Sequence, residues 1–243
     1  MDYKIPNINE IKLKLFDSLL KSGWNNLKFF INSSDFDKIL FQLYSLKEQN
    51  KRFTPPIKHV FKAFEDCNYV NLKVVILAED PYEQLGVANG VAFCCNNMQK
   101  IKLNLKNFIK SIYKTVHPDL EIPETVDPSL NYLSQQGVLL LNTSLTCEID
   151  KKVSHYNIWK DFISYFIDSI NNKKENVVFI LLGKNAHTYE DLIDEDKHYI
   201  IKASHPDSII GKNIEFWDCN DCFNKCNNKL KDLDITTIKW LKL

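Results

Sequence analysis

The chain has 243 residues, of which 44% are hydrophobic and 26% charged, proportions that exclude disordered and fibrous proteins. Basic and acidic residues are equal in number, 31 of each, so the formal net charge is zero. This balance excludes a protein that coats nucleic acid over its whole surface and leaves only local patches for such contacts. We expect a single domain over residues 1–243, in which residues 1–54 form a helical N-terminal part packed on the core.

Cysteine usage indicates the compartment. The seven cysteines are odd in number, follow no regular disulfide framework, and come without an N-terminal apolar stretch of the kind that directs secretion. We therefore expect free thiols in a reducing, intracellular compartment. The apolar runs are far shorter than the roughly 20 residues that a membrane-spanning helix needs, so we expect no membrane contact.

Helical periodicity begins near the N-terminus. Asn7 followed by Glu10 is typical of a helix start, and apolar residues recur after this pair at the spacing of one helix face. Similar patterns return at intervals along the chain. Helices are predicted, in chain order, after Asn7, over 35–47, from Pro55 and Pro56 through Phe64, and over 105–116, 158–170 and 222–230.

Four short apolar runs, rich in Val, Ile and Leu, alternate with the later helices. Runs of this kind are typical of strands that are buried on both faces of a parallel sheet. The alternation favours right-handed βαβ units. We therefore predict an α/β fold, a three-layer sandwich with a central four-stranded parallel sheet flanked by helices. The predicted strands are residues 74–78, 138–142, 177–183 and 199–203.

Polar side chains follow the predicted strands. In open parallel sheets, ligands bind beyond the carboxyl ends of the strands, so these side chains should meet at one edge. Asp80, Asn142 and His205 would converge there, with Tyr82 and Phe93 supplying aromatic surface. Such a set can bind a small, planar, polar ligand and polarise it. The chain has no familiar serine- or cysteine-nucleophile motif, glycine-rich phosphate loop or dinucleotide fingerprint.

Five blocks of sequence, in order along nearly the whole chain, carry a family resemblance. They are KVVILAEDPY at 73–82, ANGVAF at 88–93, GVLLLNTSLT at 137–146, VFILLGK at 178–184 and ASHP at 203–206. The first resembles the signature of family-1 uracil-DNA glycosylases, in which a strand precedes Gly-Gln-Asp-Pro-Tyr-His. The others are similar to the blocks that follow it in that family. The chain is identified as a divergent member.

The resemblance implies roles for the residues at the strand ends. Asp80 would position the attacking water beside the cation-like sugar, and His205 would hydrogen-bond the 2-oxo group of the departing uracil. The flipped-out base would stack on Phe93, while the amide of Asn142 would pair with its imide N–H and 4-oxo group. Tyr82 would occupy the space that the methyl group of thymine needs.

The same resemblance implies contacts beyond these residues. Glu79 stands where the family has glutamine, and we assign it to uracil binding through the backbone of its loop. Ile209 falls where the family has a leucine that fills the space left in the base stack. The residues expected to contact DNA are Asn104, Ser154, Lys184, Ser208 and Ile209.

Two acidic residues depart from the family pattern. Glu83 replaces a histidine and Asp207 replaces a serine, and both stand where phosphates are expected to pass. Because like charges repel, we predict weaker DNA affinity than is usual for the family, most of all at low salt.

Cys219, Cys222 and Cys226 have a spacing that superficially suggests a metal site. A fourth ligand is not evident, and residues 222–230 have the pattern of a helix on which two of these cysteines share a face. The resemblance implies neither a metal nor an organic cofactor, and we expect none.

We expect a monofunctional hydrolase that flips uracil out of DNA and cleaves its N-glycosidic bond, leaving an abasic site for base excision repair. One alternative is a DNA-binding or processivity subunit with the same fold and little or no excision activity. Another is a glycosylase with altered base choice. The joint presence of Asp80, Asn142 and His205 favours the enzyme, and Tyr82 with Asn142 favours uracil as its base.

The expected partner is uracil-containing DNA, single- or double-stranded, with a proteinaceous glycosylase inhibitor or replication proteins as further candidates. We expect a monomer. The interval from His155 to Trp159 is one residue shorter than in the common bacterial and animal pattern and is similar to that of poxvirus members. The expected compartments are accordingly the nucleus, the cytoplasm or a viral replication site.

Overall fold

The N-terminal part of the computed structural model is helical. Helix α1 (Ile8–Lys21) begins after Asn7, whose side-chain oxygen accepts a hydrogen bond from the Asn9 N–H at 3.1 Å. Helices α2 (Lys28–Ile31) and α3 (Ser34–Glu48) follow it. The residues that the structure describes are 7–96, 102–122, 127–209, 212, 214 and 216–242.

The single helix predicted from Pro55 and Pro56 through Phe64 is divided in two. A 3₁₀-helical turn at Ile57–His59 precedes helix α4 (Lys62–Asp66). Between them, Phe61 has φ −103° and ψ 13°, which lies outside the α-helical range and interrupts the run. The prediction was therefore right about helical character but wrong about continuity.

The central sheet confirms the prediction of four parallel strands. The strands in the described part of the chain are β1 (Phe53–Thr54), β2 (Val74–Ala78), β3 (Val138–Asn142), β4 (Cys147–Glu148), β5 (Val178–Leu182) and β6 (Tyr199–Ala203). The parallel sheet has the order β3-β2-β5-β6, and β1 pairs antiparallel with β4. Every residue of β2, β3 and β5 is buried, which is why their sequences are continuous apolar runs.

Helices flank this sheet and complete the predicted three-layer sandwich. After α4 come α5 (Leu103–Val116), α6 (Asn131–Ser134), α7 (Tyr156–Lys173), α8 (Lys184–His187) and α9 (Cys222–Asp232). Helix α9 contacts β5, β6 and α5, whereas α7 contacts α3. One contiguous cluster of buried apolar side chains includes Leu15 near the start of the chain and Trp240 near its end. Within the described ranges, no helix has the length and apolar character needed to cross a membrane.

Candidate active site

Parallel pairing brings the ends of the strands to one edge of the sheet. Ala78, the last residue of β2, pairs with Asn142, the last residue of β3, and β6 ends two residues before His205. One pocket lies at this edge of the sheet. Six residues singled out in the sequence line it: Asp80, Tyr82, Phe93, Asn104, Asn142 and His205.

Asp80 is held by one backbone hydrogen bond. Its Oδ2 accepts from the N–H of Val153 at 2.7 Å, and its Oδ1 makes no hydrogen bond to a described residue. Burial raises the pKa of Asp80 to about 6, an effect that the charges of Glu79 and Glu83 reinforce and that the Val153 N–H and the Lys152 ammonium oppose. Asp80 is therefore ionised at neutral pH, with one oxygen open toward the pocket.

The turn between β4 and α7 presents the Val153 N–H. Val153 has a φ of 56°, in the left-handed region that β-branched residues seldom adopt. Ser154 stabilises this turn, since its Oγ accepts from the Glu148 N–H at 2.7 Å and donates to the Lys151 carbonyl at 2.8 Å. The only hydroxyl proton of Ser154, a residue expected to contact DNA, is therefore engaged within the turn.

His205 is oriented as a hydrogen-bond donor. The backbone N–H of Asp207 donates to its Nδ1 at 3.2 Å, so the neutral ring carries its proton on Nε2. Burial lowers the pKa of the His205 imidazole, although the charges of Asp207 and Glu79 act in the opposite direction. The ring is neutral at neutral pH and can offer Nε2–H to a ligand.

Phe93 forms an aromatic wall of the pocket. Its φ of 65° is rare for a bulky residue, and strained backbone of this kind concentrates at functional sites. The ring stacks on Phe108 with a centroid distance of 4.8 Å and an interplanar angle of 19°, and Phe108 in turn stacks on Trp217. His205 lies 5.8 Å from Phe93, between ring centroids. This support fixes Phe93 as a rigid stacking surface.

Asn142 brings an uncommitted amide to the pocket. The residue is only 6% exposed, yet its side chain makes no hydrogen bond with any described residue. Its oxygen and its NH₂ group are therefore available to a ligand in the pocket that supplies both a donor and an acceptor.

Tyr82 and Asn104 contact each other inside the pocket. The Tyr82 hydroxyl lies 2.8 Å from the Phe93 carbonyl and 2.6 Å from Asn104 Oδ1, and its single proton can be donated to one of these at a time. Asn104 Oδ1 also accepts from the Leu105 N–H at 2.9 Å. Asn104, which the resemblance assigns to DNA, therefore positions Tyr82 in this structure.

Comparison with known proteins shows the family to which this chain belongs. The family model described as the uracil DNA glycosylase superfamily matches residues 64–231. The chain belongs to this superfamily. The uracil-DNA glycosylase of Acinetobacter baylyi is 36% identical over 93% of this chain and 94% of its own length. That of Fusobacterium nucleatum is 39% identical over 81% of this chain and 85% of its own length.

Solved structures of the superfamily share the fold. Mimivirus uracil-DNA glycosylase superposes with a TM-score of 0.78 at 24% identity, covering 90% of this chain and 86% of that chain. A variant of the mimivirus protein in complex with UGI also matches with a TM-score of 0.78, covering 90% of this chain and 87% of that one. The uracil-DNA glycosylase fold predicted from the five sequence blocks is thereby confirmed.

Glu79 follows the glycosylase strand β2 but turns its side chain away from the pocket lining. Its carbonyl accepts from Thr143 Oγ1 at 2.7 Å, and its Oε1 lies 3.4 Å from the Asn185 backbone nitrogen at the start of α8. Gly183, which sequence reasoning did not single out as functional, makes room for it. A Cβ on Gly183 would come within 2.6 Å of Glu79 Oε1, and the φ of +95° also favours glycine.

The other residues that the glycosylase resemblance assigns to DNA lie outside the pocket lining. Lys184 is exposed at the first residue of α8. Ser208 donates from Oγ to Ser204 Oγ at 3.1 Å. Ile209 is half-buried and packs against the main apolar cluster, so a wedge at this position would have to leave that contact.

Lys152 is a charged neighbour of the site that sequence reasoning missed. Its Nζ lies 2.7 Å from Asp207 Oδ2. This ammonium offsets the charge of Asp207, and the weaker DNA affinity expected from Asp207 stays a prediction. Glu83 makes no ion pair within the described residues; its Oε1 accepts a neutral hydrogen bond from Gln84 at 2.7 Å, and its charge also acts on Lys152. An exposed lysine in a turn has no local sequence signal that would have singled it out.

Cys219, Cys222 and Cys226 are buried free thiols, the last two within α9. Among the residues that the structure describes, no group of three or more His, Cys, Asp or Glu side chains is arranged to hold a metal ion.

Proposed function

We infer that this chain is a uracil-DNA glycosylase, which flips uracil out of DNA and hydrolyses its N-glycosidic bond in base excision repair. The observation that carries the inference is the convergence of Asp80, Phe93, Asn142 and His205 on one pocket, in a chain that belongs to the superfamily. The product is DNA with an abasic site.

The amide of Asn142 reads the base. Its oxygen accepts from the imide N–H of uracil, and its NH₂ group donates to the 4-oxo group. Cytosine presents an acceptor and a donor in the opposite order, so a bound cytosine leaves buried polar groups unpaired. Phe93 supports the flipped ring through stacking.

Tyr82 excludes thymine. Its ring is buried, and its hydroxyl is held by the Phe93 carbonyl and Asn104, so the side chain cannot move aside freely. Burial also raises the pKa of the Tyr82 hydroxyl, which keeps it protonated and hydrogen-bonded. The methyl group of thymine would need the volume that this ring occupies.

Asp80 and His205 divide the chemistry. Ionised Asp80 orients water and accepts its proton as the water oxygen attacks C1′ of the cation-like sugar. The bond from C1′ to N1 breaks with its electron pair, which leaves negative charge on uracil that extends to its 2-oxo group. His205 donates Nε2–H to that oxygen, and one such donor is typically worth a factor of about 10²–10³ in rate.

Candidate partners follow from the same assignment. A subunit that only bound DNA would not need an ionised carboxylate, an open amide and a neutral imidazole donor in one pocket. A mimivirus relative forms a complex with UGI, which supports a protein inhibitor as a candidate partner of this chain. The monomeric state and the reducing intracellular compartment stay predictions, the latter supported by seven free cysteines.

Release of uracil from a defined oligonucleotide tests the proposal. The unaltered chain should release uracil from single- or double-stranded DNA. Asp80→Asn, which keeps an acceptor for the Val153 N–H but cannot act as a base, should be slower by orders of magnitude. Failure to release uracil above the level of this variant at any salt concentration would favour the DNA-binding alternative.

A further inference from the structure

Lys152 forms an ion pair with one carboxylate and is influenced by the charges of two others. Its ammonium is 2.7 Å from Asp207 Oδ2, and the charges of Glu83 and Asp80 also act on it. The pair is partly open to solvent, with the side chains of Lys152 and Asp207 exposed by 55% and 25%. Ion pairs this exposed contribute little to folding stability, so the consequence of this one should be sought in the site itself.

The two partners of this pair flank the hydrogen bonds that orient both catalytic groups. The peptide bond after Lys152 contains the Val153 N–H that donates to Asp80 Oδ2. The N–H of Asp207 itself donates to His205 Nδ1. The ion pair therefore joins the turn that holds Asp80 to the turn that holds His205, across 55 residues of sequence.

We propose that Lys152 is a positioning residue for uracil excision, which ties these two turns together through Asp207 and balances the negative charge around Asp80. The inference rests on the proposed function, since it assigns Lys152 to the same reaction. The negative charges of Glu83 and Asp207 are tolerated beside Asp80 in this chain because the Lys152 ammonium offsets them.

Several groups act on Asp80 from the surrounding elements. Glu79 and Glu83, on its own loop, disfavour the carboxylate, whereas Lys152 and the Val153 N–H favour it. Cys147 of β4 is a neutral thiol, because burial raises its pKa to about 12. On the side of β6, His205 is neutral and Asp207 is paired. Removal of Lys152 therefore leaves Asp80 among uncompensated negative charges.

The test compares three variants by single-turnover excision at saturating enzyme over a range of pH. The excision rate should fall at low pH, where Asp80 becomes protonated; this fall is the acid limb of the pH profile. In Lys152→Met, the acid limb should move to higher pH by about one unit, so that the excision rate at a given pH on that limb is about tenfold lower. Lys152→Arg should keep the limb in place. Lys151→Met is the matched control, because it removes the same charge from an exposed neighbour in the same turn.

Two results would overturn the inference. One is an acid limb of Lys152→Met that coincides with that of the unaltered chain, and the other is an equal shift in Lys152→Arg. If Lys152 had a purely structural role, its replacement would lower the excision rate by the same factor at every pH. If the unaltered chain released no uracil, the proposed function would fail separately, and NMR titration of the Asp80 carboxyl carbon would still decide whether Lys152→Met raises its pKa.

Discussion

The pH dependence of uracil excision follows from the surroundings of Asp80. Burial, reinforced by the charges of Glu79 and Glu83, raises the pKa of Asp80 to about 6, against the opposing effects of Val153 and Lys152. Only the ionised carboxylate can orient water and accept its proton. Excision should therefore be lost as the pH falls through about 6.

The expected magnitude follows from the titration of one group. Well above the pKa the rate should be constant, and below it the rate should fall about tenfold for each pH unit, because the ionised fraction falls by that factor. His205 should add no limb at neutral pH, since burial lowers the pKa of its imidazole.

Single-turnover rates, with enzyme in excess over a uracil-containing oligonucleotide, measure this limb without interference from product release. Asp80→Asn is the control, because it is similar in size and does not titrate, so its residual rate should be flat. An unaltered chain whose rate stays constant down to about one unit below this pKa would refute the assignment of Asp80 as the titrating group.

Three further substitutions test the polarity and packing of the site. Asp80→Asn should stabilise the fold by about 1–3 kcal/mol at neutral pH. The pKa of Asp80 in the folded chain lies above its ordinary value, so the ionised carboxylate destabilises the fold. The gain should vanish on acidification, because Asp80 is then protonated and neutral like asparagine. Gly183→Ala should cost about 1–3 kcal/mol, because φ 95° and ψ 170° form a backbone conformation that is essentially restricted to glycine, and its Cβ would also displace the Glu79 carboxylate. Asn142→Leu should slow excision by about tenfold for each lost hydrogen bond without weakening the fold.

Denaturant unfolding and excision rates measure these outcomes. Gly86→Ala is matched to Gly183→Ala, since its φ of +76° is also positive but its Cβ would meet nothing within 4 Å. A loss in Gly183→Ala no larger than that in Gly86→Ala would contradict the expected added constraint at Gly183. A stability gain of Asp80→Asn that persists at low pH, or full activity of Asn142→Leu, would contradict the corresponding expectation.

Three strands of the central sheet, β2, β3 and β5, could be predicted closely because they are buried on both faces, whereas β6 was expected to be buried in the same way but exposes Tyr199 and Lys202. β2 and β3 begin and end at the predicted residues, and β5 is one residue shorter at each end than the run 177–183. The helix through Phe64 was less predictable, since periodicity does not report that the backbone of Phe61 leaves the helical range.

Contacts between residues far apart in the sequence could not be predicted from the local sequence pattern. Lys152 and Asp207 are 55 residues apart, and Tyr82 and Asn104 are 22 apart, so neither pair has a sequence signal of its own. Strand order could bring Asp80, Asn142 and His205 to one edge, but their chemical roles came from the family resemblance. The backbone N–H groups of Val153 and Asp207, which orient Asp80 and His205, could be recognised only in the structure.

Base choice tests the central claim most directly. Oligonucleotides that differ only in one base (uracil, cytosine or thymine) would be incubated with the chain, and the free base would be identified by mass spectrometry. The pocket formed by Tyr82, Phe93 and Asn142 predicts release of uracil alone, with an equal amount of abasic DNA. No release of uracil, or release of cytosine or thymine at a comparable rate, would contradict the account.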